Sequence, residues 1–302
     1  MAEAPAKRCG YVAVVGAPNA GKSTLTNRLV GAKVSIVTPK VQTTRARITA
    51  IAIQGSTQIV FVDTPGIFRA AKRRLERAMV QAAWGGTEDA DVILLLVDAK
   101  RGIDDDARSI VDGLKQAGRR AVLAINKIDL VPRPTLLGLA AELNDSGVFS
   151  DVFMISALDG SGVDDLARRL AEAMPEGPWL YPEDQLADIS ERLLAAEITR
   201  EQLFLNLHQE LPYALTVETE AWKELKDGSV RVEQVVYVAR DSHKAMVLGK
   251  GGRMAKRIGA LAREELTKVL GRKVHLFLFV KVRAHWADDP ERYREMGLEY
   301  PR

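Results

Sequence analysis

Gly16-Ala17-Pro18-Asn19-Ala20-Gly21-Lys22-Ser23 stands between an apolar run, Tyr11 to Val15, and a helical stretch, Ser23 to Val30, and its reading decides the fold. The spacing G-x-x-x-x-G-K-S is that of a phosphate-binding loop. Glycines let the backbone curl so that successive N–H groups face one set of phosphate oxygens, and the helix N-terminus behind them adds partial positive charge. Lys22 can then reach the β- and γ-phosphates, and the Ser23 hydroxyl can ligate Mg²⁺; Thr24 follows on the first helical turn.

Working outward, apolar runs at Val12–Val15, Ile48–Ile53, Ile59–Val62, Val92–Val97, Ala121–Ile125 and Val152–Ile155 alternate with helix-like stretches up to about residue 175. Short β-branched runs buried on both faces and separated by amphipathic helices predict an α/β, doubly wound, mostly parallel sheet. Ligands of such sheets lie beyond the carboxyl ends of the strands. The chemical residues fall there. Asp63-Thr64-Pro65-Gly66 supplies a carboxylate for Mg²⁺ and a glycine N–H for the γ-phosphate. Asn126-Lys127-Ile128-Asp129 supplies the Asp129 carboxylate, an acceptor-only group that pairs with the N1–H and N2–H₂ of guanine and meets no such donor pair on adenine. Lys127 would cover the base with its aliphatic stem, and Asn126 would tie this loop to the phosphate loop. Ser156-Ala157-Leu158 would offer the Ala157 N–H to guanine O6.

Pro39-Lys40-Val41-Gln42-Thr43-Thr44-Arg45 is polar and aperiodic. It reads as a switch segment, with Thr44 preferred over Thr43 as a metal ligand beside Ser23 and Asp63. Residues 63 to about 74, with Arg69, Lys72, Arg73 and Arg74, read as a second switch. Where many GTPases place a water-orienting glutamine, Gly66 is followed by Ile67 and Phe68, so hydrolysis needs another device or a partner.

Pro175, Gly177, Pro178 and Pro182 mark a boundary, giving domains 1–178 and 179–302. Beyond it the order is a helix within Asp188–Leu211, strands at Ala214–Glu220 and Val230–Ala239, the loop Gly249-Lys250-Gly251-Gly252, a helix over Arg253–Leu270 and a strand over Val274–Arg283. Between Arg240 and Arg283 twelve Lys/Arg face three Asp/Glu, a local +9 in a chain whose net charge is +3. Glycines permit close approach of a nucleic-acid strand, and cations at a helix N-terminus neutralise phosphates. Lys244, Gly249, Lys250, Gly251, Gly252, Arg253, Lys256, Arg257, Lys281 and Arg283 are the candidate RNA-binding set.

G-x-P-N-x-G-K-S, Q-T-T-R, D-T-P-G, N-K-I-D and S-A-L, in this order, resemble the translation-factor-related bacterial GTPases, and the P-N pair points to the Era and TrmE group. A GTPase followed by one small α+β domain with G-x-x-G, similar to a KH domain, resembles the Era family over nearly the whole chain. Glu210-Leu211-Pro212-Tyr213, His243 to Gly249, Val280 to Arg283 and Trp286 to Asp289 add to the resemblance. It implies a GTP-hydrolysing, rRNA-binding assembly factor that acts near the 3′ end of small-subunit ribosomal RNA in ribosome biogenesis. It also raises K⁺ held by Asn19 as a stand-in for an arginine finger; with Lys22, Thr44 and Gly66, Asn19 completes the catalytic set. Two alternatives stay open: an RNA-binding scaffold with a structural nucleotide, and a membrane- or tRNA-related GTPase.

With 302 residues and 47% hydrophobic composition the chain can build two cores without staples, and one cysteine, Cys9, excludes an internal disulfide. The four histidines are scattered and read as structural or solvent-facing. No apolar stretch approaches a membrane span, and the first apolar run meets the phosphate loop too soon for a signal peptide. A cytoplasmic monomer is expected; the resemblance adds peripheral association with the inner face of the membrane, for which the sequence offers no amphipathic anchor.

Overall fold

The computed structural model describes residues 6–40, 43–45, 48–68, 71, 73–208, 211–296 and 298–301. Val41, Gln42, Arg69, Lys72 and Glu210 lie outside the described residues. Two compact units emerge: one of residues 1–35, 44–188 and 293–302, the other of residues 36–43 and 189–292.

In the first unit the chain runs β1 (Arg8–Gly16), α1 (Lys22–Val30), β2 (Ile48–Gln54), β3 (Thr57–Asp63), α2 (Arg74–Glu88), β4 (Val92–Asp98), α3 (Asp105–Gln116), β5 (Ala121–Asn126), α4 (Arg133–Asn144), β6 (Phe149–Ile155), α5 (Val163–Ala173) and β7 (Ala187–Asp188). The strands form one sheet in the order β6-β5-β4-β1-β3-β2-β7. β1 pairs in parallel with β3 and β4, β4 with β5, and β5 with β6; β2 is antiparallel to both β3 and β7. The expected mostly parallel sheet is therefore present.

Its continuous apolar runs are explained by burial on both faces. Val12 and Val14 of β1 join Leu94 and Leu96 of β4 in the core beneath α1 and α5, while Val15, Leu95 and Val97 join that beneath α3 and α4. β7 is a two-residue edge strand that no hydrophobic pattern announces. Buried Gln58 fixes the segment before it, its Oε1 accepting from the Leu180 and Tyr181 N–H groups and its Nε2 donating to Tyr181 O.

In the second unit α6 (Glu191–Asn206), β8 (Leu215–Glu224), β9 (Val230–Val238), α7 (Asp241–Leu248), α8 (Arg253–Leu270) and β10 (Val274–Val282) follow one another. β9 lies between β10, parallel to it, and β8, antiparallel to it. Val230, Val232, Val236 and Val238 turn one face of β9 into a core with Ala196, Leu203, Ile258 and Leu266 of the helices. α6 is shorter than its periodicity suggests: the Ser190 hydroxyl accepts from Leu193 N and caps its start, and Leu207 leaves helical geometry at ψ 153°. α7 replaces what the sequence leaves without an element. Eight residues with little amphipathicity give no periodic signal, so its existence rests on tertiary packing.

Residues 36–43 belong to this second core. Ile36 is buried beside Ala195 and Ile198, Val37 N donates to Glu201 Oε1 at 2.9 Å, and Lys40 Nζ donates to the Phe204 and Leu207 carbonyls at the end of α6. The buried Arg200 pairs with Glu197 and donates to Thr43 O.

Ile258→Ala should destabilise the second unit by about 2–5 kcal/mol, because the site is fully buried. Met246→Ala, half-exposed on α7, should change it by less than about 0.5 kcal/mol. Amide hydrogen exchange in β9 and β10 reads the difference; equal protection in both variants would refute the assignment of this core.

Candidate nucleotide and nucleic-acid sites

Residues 16–21 leave β1 at its carboxyl end, and each of their carbonyls is occupied. Lys22 Nζ donates to Gly16 O and Ala17 O, both at 3.0 Å. Arg101 Nη1 donates to Pro18 O at 2.9 Å, Lys127 Nζ to Asn19 O at 2.7 Å and Asn126 Nδ2 to Ala20 O at 2.8 Å. Gly21 O accepts from Leu25 N and starts α1. With its acceptors engaged, the loop is left with N–H groups to offer an anion at the N-terminus of α1.

Two of these contacts demand special backbone. Gly21 has φ 98°, and a Cβ there would lie 2.2 Å from Asn126 Nδ2. Asn19 and Lys127, at φ 63° and 66°, are the non-glycine residues with positive φ among those described, and they are bonded to each other. Such conformations cost about 1–3 kcal/mol each and persist where the surroundings over-determine them.

The metal candidates converge. Ser23 Oγ lies 2.8 Å from both Thr44 Oγ1 and Asp63 Oδ2, while Asp63 Oδ1 is buried without a hydrogen-bond partner. Thr43 instead bonds Thr38 Oγ1 and Lys40 O, so the two threonines make different contacts. Burial lowers the Lys22 pKa to about 8, with Asp63 opposing the shift; burial raises Asp63, opposed by Lys22 and the Ser23 hydroxyl. Three hard oxygen donors with one orphaned carboxylate oxygen fit a divalent cation such as Mg²⁺.

Thr64 Oγ1 donates to Val14 O, and Ile67 N to Gly16 O, so the turn after β3 is bolted to β1. Pro65 is buried between them, and Gly66 packs on Pro18, where a Cβ would meet Pro18 Cα at 2.9 Å. Asn126 Oδ1 accepts from Ala157 N at 2.9 Å, so one amide joins the phosphate loop to Ser156-Ala157-Leu158. Ser156 is buried, Leu158 and Asp129 are exposed, and Thr24 is half-buried at the start of α1.

Three residues that hold these loops lie outside the motifs. Asp98 Oδ2 holds Lys127 Nζ at 2.6 Å, Arg101 holds Pro18, and Arg28 donates to the carbonyls of Ala157 and Leu158. The signal for Asp98 and Arg101 is their place at and just past the carboxyl end of β4, in the parallel sheet; Arg28 carries none.

In the second unit the Gly249–Gly252 turn links α7 to α8. Gly249, Gly251 and Gly252 have φ of 69°, 61° and 74°, and a Cβ on Gly249 would meet Met254 Cβ at 2.7 Å. Lys250, Arg253, Lys256 and Arg257 are exposed around it, Lys244 is half-buried on α7, and no side chain caps α8 at Gly252. Lys281 and Arg283 stand outside this cluster: Lys281 pairs with Glu220 at 3.0 Å and Arg283 with Asp289 at 2.9 Å. His243 is buried and accepts from Arg240 Nε; burial and Arg240 lower its pKa.

Residues 11–127 match the family model described as 50S ribosome-binding GTPase, and residues 210–287 match the KH domain model. The chain is 63% identical over 295 residues to GTPase Era of Rhizobium meliloti (strain 1021), covering 98% of this chain and 94% of that one. It is 60% identical over 299 residues to GTPase Era of Brucella suis biovar 1 (strain 1330), covering 99% and 96%. A crystal structure of Era in complex with MgGDPNP and nucleotides 1506-1542 of 16S ribosomal RNA superposes with a TM-score of 0.91 at 38% identity, covering 96% of this chain and 99% of that chain. A point variant of Aquifex aeolicus Era bound to GDP and AlF₄⁻ does so with the same score at 39% identity and the same coverage. Two GTPase Era sequences are thus matched nearly end to end at 60% identity or more, and the chain belongs to the Era family of GTPases.

Proposed function

We propose that the protein hydrolyses GTP and uses its second domain to bind small-subunit ribosomal RNA near the 3′ end, assisting maturation of that subunit. The observation that carries the nucleotide half is the Asn126 amide, which fixes the phosphate loop and the Ala157 N–H in one rigid frame and leaves Asp129 exposed beyond it. The working division is residues 1–178 for the nucleotide and 179–302 for RNA.

Within that frame each group has a role. The loop's backbone N–H groups, of which Pro18 has none, and the Lys22 ammonium receive the β- and γ-phosphates. Ser23, Thr44 and Asp63 would hold Mg²⁺, which neutralises charge building on the phosphate oxygens. Gly66 brings its backbone against the γ-phosphate side of the loop. Asp129 accepts from guanine, Lys127 covers the base, and Ala157 N–H donates to O6. Asn19 offers an amide oxygen from a fixed backbone, a donor suited to K⁺. Lys244, Gly249 to Arg253, Lys256 and Arg257 would track an RNA backbone, with Lys281 and Arg283 joining them if RNA displaces their carboxylate partners. No helix among the described residues is long and apolar enough to cross a membrane. The reading places a monomer in the cytoplasm, with the inner membrane face as a secondary location.

Asp129→Asn should weaken GTP binding by about a hundredfold or more and favour xanthosine triphosphate, since the amide presents a donor where guanine needs an acceptor. Calorimetry with both nucleotides checks it; unchanged GTP affinity refutes the base contact. Replacing K⁺ by Na⁺ in a single-turnover assay should slow hydrolysis if Asn19 acts through the cation, and equal rates remove that role. Lys250→Ala should weaken binding of an oligonucleotide from the rRNA 3′ end and reduce the slope of log K against log salt by about 1. An unchanged slope would place the RNA elsewhere.

A further inference from the structure

One carbonyl of the phosphate loop is held by a residue outside every motif. Arg101 reaches Pro18 O from the turn between β4 and α3, and that turn is closed tightly. Arg101 N and Gly102 N donate to Asp98 O at 3.1 and 3.0 Å, Lys100 N donates to Asp98 Oδ1 at 2.9 Å, and Gly102 takes φ 65°. On its other side the guanidinium is gripped by Asp104 Oδ2 at 2.5 Å, with Asp106 at 3.7 Å. Asp104 is itself fixed as the cap of α3, its Oδ1 accepting from Ala107 N at 2.9 Å. A planar fork shared between a capped carboxylate and a backbone carbonyl is a strut with a rigid base.

The carbonyl at its tip is the one backbone hydrogen-bonding group Pro18 has, because proline lacks an N–H. Pro18 in turn is the wall on which Gly66 rests: a Cβ on Gly66 would stand 3.0 Å from Pro18 Cγ and N. Asn19, next in the chain, is in the left-handed conformation and is tied by its own carbonyl to Lys127. Moving Pro18 therefore moves both sides of the gap that faces the γ-phosphate.

We propose that Arg101 is a positioning residue for GTP hydrolysis: it draws the Pro18 carbonyl outward and so sets the spacing between Pro18 and Gly66, without touching the nucleotide. Its effect is on the transition state, whose geometry is demanding, more than on the bound diphosphate. This rests on the GTPase reading above.

The test uses the full-length chain as wild type, Arg101→Ala and Arg101→Lys. GDP affinity, single-turnover GTP hydrolysis, affinity for GDP·AlF₄⁻ and Tm are measured for each. Arg101→Ala should slow hydrolysis and weaken GDP·AlF₄⁻ binding by about tenfold or more, while GDP affinity changes by less than about threefold. Arg101→Lys, which keeps one cationic donor, should recover part of the rate. A wild-type rate in Arg101→Ala overturns the proposal. So does a loss of rate matched by equal losses of GDP affinity and a lowered Tm, because that is the signature of a merely structural arginine. Failure of the wild type to bind or hydrolyse GTP would sink the functional reading itself, which separates the two failures.

Discussion

The nucleotide site depends on where the carbonyls of six consecutive residues go. A loop that kept all of them free could turn them toward a phosphate and repel it; here every one from Gly16 to Gly21 is engaged by a donor, and one freed carbonyl leaves five held. An amide or a cation at 2.7–3.0 Å on each orients the peptide planes, and the anion site is the geometric remainder. Donors come from α1, from the turn after β4 and from the end of β5 with the residue after it. Only a sheet that sets β1, β4 and β5 side by side can deliver them, so topology and chemistry are one requirement. The two positive-φ residues, Asn19 and Lys127, brace each other by the Lys127 Nζ–Asn19 O bond, and Asp98 fixes the ammonium of that pair at 2.6 Å.

The second unit separates two kinds of basicity that a charge count merges. Arg272 bonds Glu191 and Glu224, and Lys281 bonds Glu220; all three carboxylates lie outside the window in which the local charge was counted. Arg283 is taken by Asp289, and Lys268 by Glu264 within the same helix. Exposed pairs of this kind are weak and can be exchanged for a phosphate, yet each exchange has to release a carboxylate. Lys250 and Arg253 sit instead on a glycine turn at the uncapped start of α8, where the helix dipole acts in the same sense as their charge.

What could be read in advance follows from this. Linear motifs that work through their own backbone, such as residues 16–23 and 63–66, were legible because spacing alone prescribes their geometry. So was the pairing of Asn126 with the phosphate loop, and the place of Thr44 beside Ser23, since the residue types leave few other uses for them. The parallel order of strands followed from apolar runs without alternation. By contrast Arg101 and Arg28 act on carbonyls, which every residue has, and Asp98 acts on a lysine distant in sequence, so nothing in the sequence marks their targets. β7 and α7 are too short for periodicity. The carboxylate partners of Lys281 and Arg272 come from β8 and α6, at separations only the folded sheet closes.

The residue after Gly66 sharpens the question of how water is oriented for attack. Ile67 has no polar side-chain atom, is buried in the core with Val15 and Leu95, and its N–H is committed to Gly16 O at 3.1 Å. It cannot swing toward a γ-phosphate without leaving that core, an apolar side chain whose exposure costs about 1.5–3 kcal/mol. The usual side-chain device is thus excluded by packing as well as by residue type. Among the described residues, what remains beside the loop besides Lys22 and the Ser23–Thr44–Asp63 group is backbone and the Asn19 amide, held by a fixed chain. Hydrolysis in such a site depends on how closely the walls of the gap hold their spacing, and this is why a chain without the glutamine has reason to brace Pro18 from outside.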